Sequence, residues 1–254
     1  MTLTYDGTFA GLLSAIFESY LRKDSVLDIV AEDQHQAQLF ETPVFVPTEE
    51  AHARRVLRGL KEKSGNPQID RWLRRIFLTE QRGSERLILH YVRRQMQSTE
   101  DVSQDAGDEH IRQLQRLHQQ MGREVHRMHA FVRFQRTADD LYVALINPDF
   151  NCLPLLGEHF AARYPAMPWL IYDTRRHYGL LWDDQAKQSS FITLTGQQDG
   201  QLRQLSAEIL EQTESDYQDL WKTYFRAVDI PERRNMKLHL QHVPRRYWRY
   251  LIEK

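Results

Sequence analysis

Three groups of side chains could do chemistry. Glu124, His126, Arg127, His129 and Arg133 stand where helical spacing gives way to strand spacing. Histidine transfers protons near neutral pH or ligates a metal, a carboxylate can orient it, and arginine holds a phosphate in a planar fork. On a helix, residues four apart are neighbours, so Arg123 meets Arg127 while Glu124 and His126 diverge. His126 therefore pairs with Glu124 only if the helix ends near Val125; otherwise it is a helix-end imidazole. His129 and His118 are expected at the surface. The second group is Asp149 with Asn151 after one strand, joined by Asp173 at the end of another. Two converging carboxylates could hold a divalent cation and, with His126, run metal-assisted phosphodiester hydrolysis. The competing reading is turn chemistry, with Asp149 and Asp173 capping backbone. The third group is the C-terminal interleaving of Arg233, Arg234, Lys237, Arg245, Arg246 and Arg249 with Tyr247 and Trp248. Cations neutralise phosphates and aromatic faces stack on unpaired bases. The alternative is a terminal segment docked through Tyr247, Trp248 and Leu251, with its arginines in solvent or paired with the acidic residues 137–220.

Several chemistries lack their motifs. The chain has no Gly-x-x-x-x-Gly-Lys-Ser/Thr loop, no Gly-x-Gly-x-x-Gly turn, no His-Glu-x-x-His helix and no Gly-x-Ser-x-Gly elbow. Cys152 is the only cysteine, which excludes an intrachain disulfide, a cysteine-built zinc site and a self-contained iron–sulfur cluster. No cofactor is expected, beyond a divalent metal if the chain is a nuclease. The net charge of -1 conceals strong segmentation: residues 1–50 carry -7, 51–95 carry +8, 96–120 carry -3, 121–136 carry +3, 137–220 carry -8 and 221–254 carry +6. Local phosphate neutralisation needs only such blocks, whatever the total; ordinary solvated helix faces would give the same pattern. No basic leader and no apolar run of membrane-spanning length is visible, so a soluble cytoplasmic protein without membrane contact is expected.

The elements that must position these groups follow from periodicity. Thr8 caps a helix whose stripe is Phe9, Leu12, Leu13, Ile16, Phe17 and Tyr20. Residues 24–41 are acidic and weakly periodic, and 42–48 read as an extended piece between prolines. Thr48 is the expected N-cap of a helix through Lys63, followed by helices carrying Ile69, Trp72, Leu73 and Ile76, then Leu87, Ile88, Tyr91 and Val92. Residues 98–108 are a polar loop and the boundary candidate between a mainly helical region, 1–97, and an α+β region, 109–254, within one compact unit. A further helix leads to short strands at 130–135, 141–146, 169–172, 178–182 and 191–194, with a helix near Pro154. The expected fold is thus α+β: an antiparallel sheet of about five strands with a packed helix, a largely helical N-terminal half and a basic–aromatic C-terminus. A turn-rich break at 196–201 and a helix over 217–228 precede that terminus.

Taken together, Tyr5-Asp6-Gly7-Thr8-Phe9, Glu124-x-His126-Arg127-Met128-x-x-Phe131-Val132-Arg133-Phe134, Pro148-Asp149-Phe150-Asn151-x-Leu153-Pro154-Leu155, Trp169-x-Ile171-Tyr172-Asp173 and Tyr247-Trp248-x-Tyr250-Leu251 resemble a bacterial family of DNA metabolism and repair proteins. Members of that family are encoded beside a DNA-modification radical SAM protein, and a related domain occurs fused to uracil-DNA glycosylase-like domains. The resemblance spans nearly the whole chain and carries no catalytic residues with it. Where a Lys-Arg-x-Tyr-Gly hairpin is expected, this chain has Arg175-Arg176-His177-Tyr178-Gly179, which keeps the charge. The resemblance implies a DNA-binding repair or modification factor acting with a radical SAM partner, gripping backbone through Arg127, Arg133, Arg175, Arg176 and the C-terminal cations. The alternatives are a metal-assisted nuclease or base-processing hydrolase built on His126 with Asp149 or Asp173, and a protein–protein adaptor.

Overall fold

The computed structural model describes residues 1–22, 26–35, 42–137, 140–193 and 247. The expected break at 196–201, the helix over 217–228 and the C-terminal cations Arg233, Arg234, Lys237, Arg245, Arg246 and Arg249 with Trp248 lie outside them. The fold is α+β, with two sheets. The chain divides into two units, Met1–Met121 and Gly122–Lys254, and residues 98–108 lie in the first.

The first unit opens on a strand, β1 (Thr2–Tyr5), followed by α1 (Phe9–Leu21) and β2 (Asp28–Ala31). β1 and β2 run parallel, as a helical crossover allows, and β3 (Val44–Phe45) pairs parallel on the other edge of β1. Every residue of β1 is buried. α1 begins as its sequence predicts: the Thr8 hydroxyl accepts from Gly11 N at 2.9 Å, and Asp6 in turn accepts from the Thr8 amide and hydroxyl at 3.0 and 2.7 Å. Thr48 differs from its expected role. Its hydroxyl donates to Asp6 Oδ2 at 2.7 Å, and α2 (Glu50–Ser64) starts after Glu49. Burial would raise the Asp6 carboxyl, but these hydrogen bonds from Thr48 and Thr8 outweigh it and hold the group below its ordinary value. α2 ends at Gly65, whose φ of 64° suits a residue without a Cβ. Next come α3 (Ile69–Phe77) and α4 (Ser84–Gln97), whose Ile69, Leu73, Ile76, Ile88 and Val92 join Leu3, Leu12, Ile16, Ile29 and Leu60 in one core.

A long helix, α5 (Glu109–Phe131), contains the boundary between the units. It continues past the predicted start of a strand at residue 130, because Val125, Met128 and Val132 keep the helical burial spacing. The first strand of the second sheet is accordingly short, β4 (Gln135–Arg136), and forms the predicted hairpin with β5 (Tyr142–Ile146). A short 3-10 turn at Leu153–Leu155 and α6 (Gly157–Arg163) then lead to β6 (Trp169–Asp173), β7 (Tyr178–Asp183) and β8 (Gln188–Thr193). The sheet order is β4-β5-β6-β7-β8. One pairing departs from the expected antiparallel sheet: β5 and β6 are parallel. The intervening helix returns the chain to the same end of the sheet, which a hairpin cannot do. α6 lays Phe160 against Trp169, while Val143, Leu170 and Tyr172 form a cluster of their own.

Gly179 on β7 is required by close approach. A Cβ there would lie 2.6 Å from Leu170 Cδ1, 3.2 Å from Tyr172 Cδ2 and 3.3 Å from the Ile171 carbonyl. Alanine normally stabilises a strand relative to glycine. Here overpacking reverses the sign, and Gly179→Ala should lower the unfolding free energy by about 2 kcal/mol in urea titrations.

Candidate functional site

The parallel pairing of β5 and β6 sets Ile146 beside Asp173, so the segments leaving the two strands start side by side. Thr174 fixes them, its amide and hydroxyl both donating to the Ile146 carbonyl at 2.9 and 3.1 Å. Asp173 is fully buried. Its Oδ1 accepts from the amides of Arg175 and Arg176 at 2.9 and 3.2 Å, and its Oδ2 accepts from Arg176 Nη1 at 3.0 Å. The Arg176 guanidinium also donates to the carbonyls of Pro148 at 3.3 Å and Asp149 at 3.1 Å, joined by Arg175 Nη1 on the Asp149 carbonyl at 3.2 Å. Asp149 and Asp173 thus meet through one guanidinium, which binds the carboxylate of one and the backbone of the other.

A second buried carboxylate completes the cluster. Glu124, on α5, accepts from the Asp149 amide at 2.9 Å and from the Tyr247 hydroxyl, with Arg127 Nη1 3.5 Å from its other oxygen. The Tyr178 hydroxyl donates to Asn151 Oδ1. Burial, reinforced by the charges of Glu124 and Asp173, pushes the Cys152 thiol far above its ordinary value, so Cys152 is an inert apolar filler.

The predicted residues that the structure describes are placed as follows. Asp173 is committed to Arg176 and two turn amides, an arrangement that stabilises a turn and leaves a cation facing a guanidinium. Asp149 is exposed. His126 is exposed on α5 while Glu124, two residues earlier, is buried, the divergence that helical geometry dictates. Arg176, Arg127 and Arg133 hold protein groups: Arg133 Nη1 donates to the Ala130 carbonyl at 2.7 Å. Arg175 keeps an exposed position. Tyr247 is 2 % exposed, which withdraws its ring from any stacking platform. His129, expected at the surface, is half-buried and stacks on His159 with ring centroids 3.9 Å apart.

The first unit carries a groove that the sequence reading passed over. It encloses about 470 Å³ and is lined by Phe17 and Tyr20 of α1, Arg55, Val56, Arg58, Gly59 and Glu62 of α2, and Met96 of α4. Phe17 stacks on His52 at 4.1 Å, and the Arg55 guanidinium sits 5.5 Å over the same ring. Tyr20 is 44 % exposed. Arg54, Lys61 and Lys63 are exposed on the same helix. Two signals were available for it: the +8 balance of residues 51–95, and the outlying aromatic end of the α1 stripe. An exposed tyrosine ring beside two guanidiniums, with one carboxylate among them, suits a ligand that joins a planar ring to anionic groups.

Among the described residues, no helix is long and apolar enough to cross a membrane. No curated protein and no solved structure matches the chain. Residues 82–253 match a family described as a domain of unknown function, DUF4130, and because that span exceeds half of the 254 residues, the chain belongs to this family.

Proposed function

We propose that this chain is a DNA-binding factor of DNA repair or modification that acts with a radical SAM partner. The observation that supports it best is the groove of the first unit, where Arg55 and Arg58 line the same space as the exposed Tyr20, the Phe17 ring being already covered by His52 and Arg55. Base–aromatic stacking contributes roughly 1–3 kcal/mol per base without regard to sequence, and phosphate contacts add salt-dependent affinity. Such a lining favours unpaired or distorted DNA over regular duplex, whose bases are stacked on one another. The resemblance to DNA metabolism proteins supports the same reading. With one cysteine, itself buried, this chain does not carry a radical SAM cluster, so that chemistry would belong to the partner. The hydrolase alternative draws no support from Asp173, whose carboxylate is fully engaged.

Fluorescence anisotropy with labelled single-stranded, duplex and uracil-containing DNA tests the proposal. The expected result is binding that weakens steeply with salt and is tightest for the single strand. Absence of affinity for all three at low ionic strength would overturn it.

A further inference from the structure

His90, Asp108 and His110 gather at the start of α5. His90 comes from α4. Asp108 caps α5, its Oδ1 accepting from the amides of His110 at 2.8 Å and Ile111 at 3.3 Å. His110 stands in the first turn. One nitrogen from each imidazole and one oxygen of the carboxylate all lie within 4.8 Å of one another. His90 Nε2 is 2.8 Å from Asp108 Oδ2, and His110 Nδ1 is 3.5 Å from Oδ1. A tetrahedral ion with bonds of ~2.0–2.1 Å holds its ligand atoms roughly 3.3 Å apart, a spacing that lies within the 4.8 Å the three ligand atoms already span. The rings already lie together, with centroids 4.3 Å apart.

We propose that His90, Asp108 and His110 bind a divalent transition ion of the zinc class, tying α4 to the beginning of α5 and leaving a coordination position open to water. Two imidazoles with a single carboxylate select zinc, cobalt or nickel over magnesium, which demands oxygen ligands. One neighbour competes. Arg94, one turn beyond His90 on α4, donates to Asp108 Oδ2 at 2.8 Å. It also pairs with Asp105, so it can withdraw to that carboxylate when an ion enters.

Isothermal titration of the untagged full chain with Zn²⁺, and the visible d–d spectrum with Co²⁺, test the site. A single equivalent should bind, with a tetrahedral cobalt spectrum, and Mg²⁺ should not compete. His110→Ala, at an exposed position that the fold does not need, should weaken binding by at least about 100-fold, beyond what loss of an outer-shell partner costs. His90→Ala should do the same, with circular dichroism checking its fold. Arg94→Ala should tighten binding roughly tenfold, since it removes a positive charge from the ion's side; a purely structural role for the cluster would not produce that gain. Absence of binding, or Zn²⁺ affinity unchanged by both histidine substitutions, would overturn the assignment.

Discussion

Replacing Arg176 by methionine should lower the unfolding free energy of the second unit by about 3 kcal/mol, the lower part of the range for breaking a buried ion pair. Methionine keeps most of the volume and removes the charge. Asp173 would then remain as a fully buried anion held, among the described residues, by two turn amides, and the carbonyls of Pro148 and Asp149 would lose their shared donor. Those amides keep the loss from reaching the top of the range. Asp173→Asn should cost less, about 2 kcal/mol, because the side chain can still accept from the turn. The two substitutions together should cost clearly less than their sum, since each alone strands the other partner. Urea denaturation followed by the fluorescence of the buried Trp169 and Trp182 reads all three. A loss below about 1 kcal/mol for Arg176→Met would show that water reaches Asp173 and that the pair is a surface one.

Glu124→Ala should cost about 3 kcal/mol by a related route. The Asp149 amide, the Tyr247 hydroxyl and the Arg127 guanidinium all depend on this carboxylate. An alanine leaves the Tyr247 hydroxyl buried and the Asp149 amide part-buried without this acceptor, the former at about 1–3 kcal/mol and the latter at less, moderated where water enters the space left behind. Glu124→Gln keeps an acceptor and the shape, so it should cost about half as much. Tyr247→Phe removes one charge-assisted bond and should cost about 1.5 kcal/mol. The ordering matters more than the values. If Tyr247→Phe proved neutral while Glu124→Ala remained severe, the carboxylate would matter for the Asp149 loop alone and the tyrosine contact would contribute nothing.

Helices were legible because their stripes are long. The Phe9–Tyr20 pattern with Thr8 as its cap leaves little else for α1 to be. β1 was not legible: four residues buried on both faces show no alternation, and a parallel strand announces itself only through its partners. The parallel pairing of β5 with β6 could have been found, since strand, helix, strand in succession is the signature of a crossover. At the cluster, the strand-end positions of Asp149 and Asp173 were readable from spacing. Their joining through Arg176 was not, since nothing in the sequence distinguishes an arginine that grips a phosphate from one that grips a carboxylate three residues away. Glu124 lies two residues from His126 in sequence, but the helix turns the two apart. Its actual partner, Tyr247, is 123 residues distant, and no local pattern reports a contact of that separation. The groove was hidden differently: its cations and its aromatics sit on two different helices, and only packing brings them together.

The proposed binding of DNA in the basic–aromatic groove of the first unit turns on Arg55 and Arg58. The most direct test compares wild type with Arg55→Ala/Arg58→Ala in the salt dependence of single-stranded DNA affinity. The slope of log affinity against log salt should become shallower by roughly 1.4, two phosphate contacts at about 0.7 each, with affinity reduced most at low salt and the fold unchanged. An unaltered slope and affinity in the double variant would contradict it.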